Sequence, residues 1–398
     1  MIYICVRKHF AYFDVYILIS RGIDCRKRRV RAPGIIRKNK FYMPDFKNVR
    51  IKDIAEMAGV SVATVDRVLH KRGKISEKAL KKVMDALEKT GYKPNLIAST
   101  LGSNKKYKIA TLIPNPVLDD YWNQSCSGVF NAQEDWEQYN VHIESFYFNL
   151  HERDSFKKVA EQVLNFEPDG ILIAPIFHQE ANAFFETLDE RKIPYVLFNT
   201  NIPEAKPLCF IGQDLYQSGR VCAEMLTARI KRPGNVAVLH INEDIQNAVH
   251  LSEKERGFRD FFKDNRMDDY NIIRFEFENY SESAFSRELL DVIVQNQLEG
   301  IFVSTSKGTH LTASVIDKAG KRDIGLVGYD LLKDNIHYMY ERVINYLINQ
   351  NPRKQAFLGI SYLVNYLLFK KMPPATVLFP LEVVSRENIK SYLNSGLN

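Results

Sequence analysis

Cysteine is scarce. The 398-residue chain holds five (Cys5, Cys25, Cys126, Cys209, Cys222), and no two stand at CxxC spacing. That excludes a disulfide framework and a thiolate zinc site, and it suits a reducing cytoplasm. No apolar run approaches the roughly 18 residues of a membrane helix. Phe10 to Ile19 is short and interrupted by Asp14, and the basic run Arg26–Arg29 follows it without a small-residue cleavage site. A signal peptide therefore fits poorly. Catalytic signatures are missing too: there is no GxSxG, no HExxH and no phosphate-cradling GxxxxGK. Nine histidines are dispersed without ligand spacing. No catalytic residue, metal ligand or cofactor is assigned.

What is present is unevenly charged. Residues 1–42 carry +9, residues 43–106 carry +7, and the remainder carries −9, for a net +7. A basic front suits a polyanion partner, and an acidic rear suits a body that does not itself grip DNA. With 45% hydrophobic residues the chain can bury a large core.

Between Arg50 and Gly73 two amphipathic stretches flank a tight turn. Ile51, Ile54, Ala55 and Ala58 recur with helical spacing. Gly59 can end that helix, and Ser61 can cap the next, which buries Val65, Val68 and Leu69. The opposite side offers Val62, Ala63, Thr64 and Arg67. A third helix, capped by Ser76 and closed by Gly91, carries Ala79, Leu80, Val83, Met84 and Leu87 toward the other two. This is a helix–turn–helix, whose second helix fits the major groove.

The run Ile51–His70 resembles the first helices of the lactose-repressor (LacI-type) family of bacterial transcription regulators. Asp53, Ile54, Ala55, Ala58, Gly59, Val60, Ser61, Thr64, Val65, Arg67, Val68 and Leu69 match its pattern; Asp66 departs, standing where Ser is usual. The resemblance implies DNA contacts at Ser61, Val62, Ala63, Thr64 and Arg67, with Lys71 and Arg72 on phosphates. Asp66 would either orient Arg67 or the basic loop, or accept from a cytosine amino group. Tyr92 to Leu101 is similar to the family's hinge, which orders when two copies pair on operator DNA; Asn95, Ala98 and Leu101 match it, with Leu101 as minor-groove wedge. The other reading is a bare linker, with Leu101 in the body's core.

From Tyr107 onward short apolar runs alternate with stretches of helical length, the mark of parallel sheets covered on both faces. Ile109–Pro114, Val141–Phe148, Gly170–Ala174, Tyr195–Phe198, Val236–His240, Ile272–Phe277, Gly300–Ser304 and Gly325–Tyr329 are the expected strands. Length and position resemble a type I periplasmic-binding-protein body: two α/β lobes with a ligand cleft between them. The expected organisation is an N-terminal basic extension over 1–48, an all-α headpiece over 49–93, a hinge over 94–106 and a two-lobed sensor over 107–398. The first lobe takes about 107–208 plus 348–371, and the second takes about 209–347 plus the C-terminal segment. The extension is read either as a DNA-tracking arm or as the product of a start codon called too early, since Met43 lies just before the headpiece.

Ligands of open α/β sheets bind outside the carboxyl ends of strands. Residues there are Asn115, Tyr121, Trp122, His178, Asn199 and Asn201. Tyr121 and Trp122 suit stacking on a sugar ring, although Trp122 serves equally as core. His178 is either a ligand contact or a structural hydrogen-bonder. The family resemblance adds Asp214, Lys254, Asp330 and Gln350. It also marks a departure: Thr305-Ser306-Lys307 replaces an Asn-Asp pair that grips ligand hydroxyls, so the effector need not be a neutral hexose. Lys307 would meet an anion or simply be solvated. The resulting expectation is a cytoplasmic homodimeric repressor of carbohydrate genes, with double-stranded operator DNA and a sugar-like effector as partners and no membrane. The alternative is a solute-binding protein of a transport system.

Overall fold

Local chemistry starts and stops the headpiece helices. The Asp53 carboxylate accepts from the Arg50 amide at 2.8 Å at the start of α1 (Ile51–Ala58). Gly59 ends it with φ of 62°, a left-handed conformation that glycine adopts at least cost. The Ser61 hydroxyl accepts from the Thr64 amide at 3.2 Å at the start of α2 (Val62–Leu69), and Ser76 does the same for α3 (Glu77–Thr90) through Ala79 at 3.4 Å. Ile54, Ala55, Ala58, Val65, Val68, Val83 and Ala86 close the core. Leu80 and Met84, expected inside, are instead 43% and 54% exposed. The inward row of α3 runs through Ala79, Val83 and Ala86, and each of the two larger residues stands one residue, about 100° of helix, away from it.

The structure is a computed structural model describing residues 2–9, 12–19, 50–69, 73, 75–90, 105–241, 249–277 and 281–393. The basic loop residues Lys71 and Arg72, the closing Gly91 and the hinge residues Asn95, Ala98 and Leu101 lie outside them. In the N-terminal extension β1 (Ile2–His9) pairs antiparallel with β2 (Tyr12–Ile19).

The chain divides into two units, residues 1–94 and 95–398. In the second, strands and helices alternate: β3 (Tyr107–Pro114), α4 (Asp120–Trp136), β4 (Val141–Phe148), α5 (Arg153–Asn165), β5 (Gly170–Ile173), α6 (His178–Arg191), β6 (Tyr195–Asn199) and β7 (Cys209–Gly212). There follow α7 (Leu215–Arg229), β8 (Asn235–Ile241), α8 (Val249–Asp264), β9 (Asn271–Phe277), α9 (Glu282–Gln295), β10 (Leu298–Val303), α10 (Ser306–Lys318), β11 (Gly325–Tyr329) and α11 (Lys333–Tyr340). Then come β12 (Tyr346–Asn349), α12 (Pro352–Phe369), β13 (Thr376–Leu378), β14 (Glu382–Val384) and α13 (Ile389–Leu393).

These strands make two six-stranded sheets with matching neighbour orders, β13-β7-β6-β5-β3-β4 and β14-β12-β11-β10-β8-β9. All pairings are parallel except that of β14 with β12. Central strands are buried along their length because helices cover both faces, which is why they read as unbroken apolar runs. Sheet membership moves the expected lobe boundary. Strand β7, placed in the second lobe by the sequence reading, pairs with β6 in the first; β12 belongs wholly to the second; β13, beyond residue 371, returns to the first.

The chain thus crosses between lobes three times, at residues 213–214, 350–351 and 379–381. The buried Gln213 side chain ties these crossings together, its Nε2 donating to the carbonyls of Asn349 at 2.9 Å and Pro380 at 2.8 Å. Each lobe also contains a helix pair in backbone contact. A Cβ on Gly128 of α4 would stand 2.0 Å from the Arg353 carbonyl of α12. In the second lobe a Cβ on Gly219 of α7 would stand 1.9 Å from the Lys254 carbonyl of α8, and one on Gly257 the same distance from the Tyr216 carbonyl.

Candidate functional site

The facing strand ends of the two lobes enclose a cleft in the body. From the first lobe, Asp119 caps α4 by accepting from the Tyr121 amide at 2.9 Å, which sets Tyr121 and Trp122 at the mouth of the helix. The two rings meet edge to face at 4.9 Å, and Trp122 also edges Phe198 at 6.1 Å. Trp122 is only 4% exposed, so the structure makes it core and cleft wall together. Asn199 ends β6 with φ of 69°, a left-handed turn that asparagine tolerates. Its Nδ2 donates to the Tyr121 hydroxyl, and its backbone amide donates to Gln355 Oε1 at 3.0 Å.

The second lobe repeats the device. Asp330 ends β11 with φ of 62° and is fully buried. Its carboxylate accepts from the Gln350 amide at 2.8 Å, from Gln350 Nε2 at 2.6 Å and from the Ser306 hydroxyl. Burial raises its pKa, and these hydrogen bonds pull the other way. Lys254 is 3% exposed; its Nζ donates to the Ser304 carbonyl at 3.1 Å and sits 3.7 Å above the Tyr329 ring.

Behind the wall lies a polar chain. Ser304 Oγ stands 2.8 Å from His240 Nδ1, and His240 Nε2 stands 2.7 Å from a Glu255 oxygen. Glu255 also accepts from Arg259 at 2.6 Å and Arg274 at 2.8 Å. Burial would raise the Glu255 pKa, but the hydrogen bonds from His240, Arg274 and Arg259 outweigh it and hold the group at about 2.

Of the residues expected from the sequence, Tyr121, Trp122, Asn199, Lys254 and Gln350 converge on this cleft, with Asp330 directly behind Gln350. Four do not join them. Asn115 turns its Oδ1 back to the Val117 amide at 3.0 Å. His178 pairs with Glu204 at 3.2 Å on the surface. Asn201 is exposed. Asp214 caps α7 through the Gln217 amide at 2.8 Å. The sequence reading missed Asp119, His250, Ser304 and the inward roles of Thr305 and Ser306. The strand-end rule could have found Ser304, Thr305 and Ser306, the three residues that follow β10. Lys307 is exposed, as the solvated reading expects, and its Nζ also donates to the Leu118 carbonyl of the other lobe at 3.1 Å. Space inside the cleft is about 40 Å³, enough for a few waters. A molecule of a sugar's size would fit there only with the lobes further apart.

In the headpiece, Ser61, Val62, Ala63 and Arg67 are exposed along one side of α2. Thr64 is half-buried, its hydroxyl 2.9 Å from that of Ser61. Among the described residues no helix is long and apolar enough to cross a membrane, and no His/Cys/Asp/Glu group is placed to hold a metal ion.

Comparison with known proteins accords with both units. Residues 50–95 match the family model for bacterial regulatory proteins of the lacI family, and residues 109–371 match the periplasmic binding protein domain. The chain is 30% identical over 348 residues to the probable HTH-type transcriptional repressor ExuR of Bacillus subtilis, covering 86% of this chain and 98% of that one. It is 23% identical over 353 residues to the sucrose operon repressor of Streptococcus mutans, covering 85% and 99%. A putative LacI transcriptional regulator from Bacteroides fragilis superposes with TM-score 0.69 at 27% identity, covering 72% of this chain and all of that one. GanP, a glucose-galactose binding protein from Geobacillus stearothermophilus, shares the fold at TM-score 0.64 and 17% identity, covering 72% and 99%. With a helix–turn–helix at one end and a two-lobed binding body after it, this chain belongs to the lacI family of bacterial regulatory proteins.

Proposed function

We propose that the protein is a ligand-responsive repressor of carbohydrate-utilisation genes. It binds a pseudo-palindromic operator as a homodimer and takes a small sugar-like effector between its lobes. The observation that carries this reading is the cleft itself: aromatic rings and amide side chains from both lobes face one space, the mixture that recognises a sugar's apolar face and its hydroxyls. Relatives named for sucrose and ribose operons support the same class of regulated genes. On the DNA side, Val62 and Ala63 would sense thymine methyls and Arg67 would read a guanine, a reading supported by their exposure on α2. An effector that favours one lobe arrangement changes DNA affinity by the coupling free energy between the two sites.

Gel retardation on the gene's own upstream region, with and without a panel of sugars, tests this. Retardation that weakens steeply with salt and responds to one sugar class is expected. Retention of no DNA at low salt, under any sugar, would defeat the regulator reading.

A further inference from the structure

The two lobes hold each other across the cleft with groups of their own. Lys307, the second residue of α10, sends its Nζ to the Leu118 carbonyl of the first lobe at 3.1 Å. Leu118 lies in the turn between β3 and α4, and that turn is braced from within. The Leu118 amide donates to the Asn115 carbonyl at 3.1 Å, and the Val117 amide donates to Asn115 Oδ1 at 3.0 Å. Helices α4 and α10, one from each lobe, meet across the cleft.

A second contact is apolar. Leu332 follows β11 of the second lobe, yet it is 5% exposed and belongs to the hydrophobic core of the first. Both contacts depend on the lobes being together. With both made, the space left in the cleft is about 40 Å³, room for a few waters and too little for a sugar. A ligand of that size therefore works against them. Its apparent affinity carries the cost of reaching the arrangement that admits it.

Resting on the reading of the cleft as the effector site, we propose that Lys307 and Leu332 form a clasp between the lobes, and that the effector acts by opening it. Lys307 then sets effector affinity by opposing entry. The free energy that separates the two lobe arrangements lies in the protein's own contacts, and the effector shifts it by binding one arrangement better than the other.

The test uses the full chain with spin labels at Val117→Cys and Lys318→Cys, exposed positions in different lobes, and with Cys5, Cys25 and Cys126 replaced by serine. Thermal shift and calorimetry with glucose, galactose, arabinose, ribose, sucrose and galacturonate run beside the distance measurement. A sugar that raises the melting temperature is expected to lengthen the label distance. It should bind Lys307→Met about three- to tenfold more tightly than the parent, the net worth of one hydrogen bond. Lys307→Arg, which can still donate to the Leu118 carbonyl, should return affinity toward the parent value. Without sugar, Lys307→Met and Leu332→Ala should each lengthen or broaden the distance distribution. Equal or weaker binding by Lys307→Met, or a distance that shortens on binding, would overturn the clasp and leave the effector cleft standing. No melting shift with any of these sugars would overturn the effector reading. Unchanged distances in both variants without sugar would overturn the clasp whatever the sugars do.

Discussion

Replacing Gly219 by alanine tests how tightly the second lobe is built. The added methyl carbon would stand 1.9 Å from the Lys254 carbonyl oxygen and 2.9 Å from the Phe258 amide nitrogen. Both are backbone atoms, so no side chain can swing aside; α7 and α8 must separate by more than 1 Å to reach the roughly 3.3 Å of an ordinary carbon–oxygen contact. Alanine gains about 1 kcal/mol of helix propensity over glycine. Overpacking a fixed contact costs about 1–3 kcal/mol, occasionally more, and here α7 and α8 also carry the contact at Gly257. The net expectation is a loss of about 1–2 kcal/mol, or a fall of several degrees in melting temperature for a body of this size. The separation also shifts the Lys254 backbone, so effector affinity should fall with stability. Urea unfolding and thermal melts of the full chain measure the first, and calorimetry measures the second. Gly320→Ala is the control: it carries φ of 64° with nothing within 4 Å, so it bears conformational strain and no collision. If Gly219→Ala is as stable as the parent, or loses less than the control, the close-contact reasoning is wrong.

Two other expectations follow from single sites. Glu255, held at about 2 against an ordinary value of 4.5, has a depressed folded pKa. Its stabilisation, up to roughly 3 kcal/mol by linkage, is therefore complete above about 4.5 and drains away as pH falls toward 2. Urea midpoints from pH 7 to pH 3 should slope downward in the parent and less so in Glu255→Gln; parallel slopes would show that this carboxylate is not the source. Arg67→Ala should cost about 1–3 kcal/mol against the preferred base and relax selection at one operator position. Competition binding with single-base operator variants reads it, and an unchanged preference removes Arg67 from base reading.

Much of the architecture was legible because buried parallel strands announce themselves as apolar runs. All eight runs singled out in the body are strands. The four strands that escaped, β7, β12, β13 and β14, are each only three or four residues long. The misplacement of β7 has a different cause. Which sheet a strand joins is decided by partners far along the chain, here Val196–Asn199 and Thr376–Leu378, and no local pattern carries that information. In the cleft, residue types at strand ends pointed to Tyr121 and Asn199, and the family resemblance to Lys254 and Gln350, all of which line it. Asn115, from the strand-end rule, and Asp214, from the resemblance, lie outside it: their side chains bond to their own backbone turns, a common use of Asn and Asp. Lys307 was judged by its charge alone. Its reach to the Leu118 carbonyl depends on how the lobes close, a relation between segments 189 residues apart.

The Gln213 side chain, bonded to both other crossings, has a mechanical consequence. Three independent tethers would let one lobe slide, twist and tilt against the other. Pinned at a common point, they act as a single flexure whose soft motion is rotation about that point, and shear between lobes must first break the two hydrogen bonds of one amide. A ligand that changed the angle between the lobes would then turn the strand ends and helix starts of each lobe together, by that same amount.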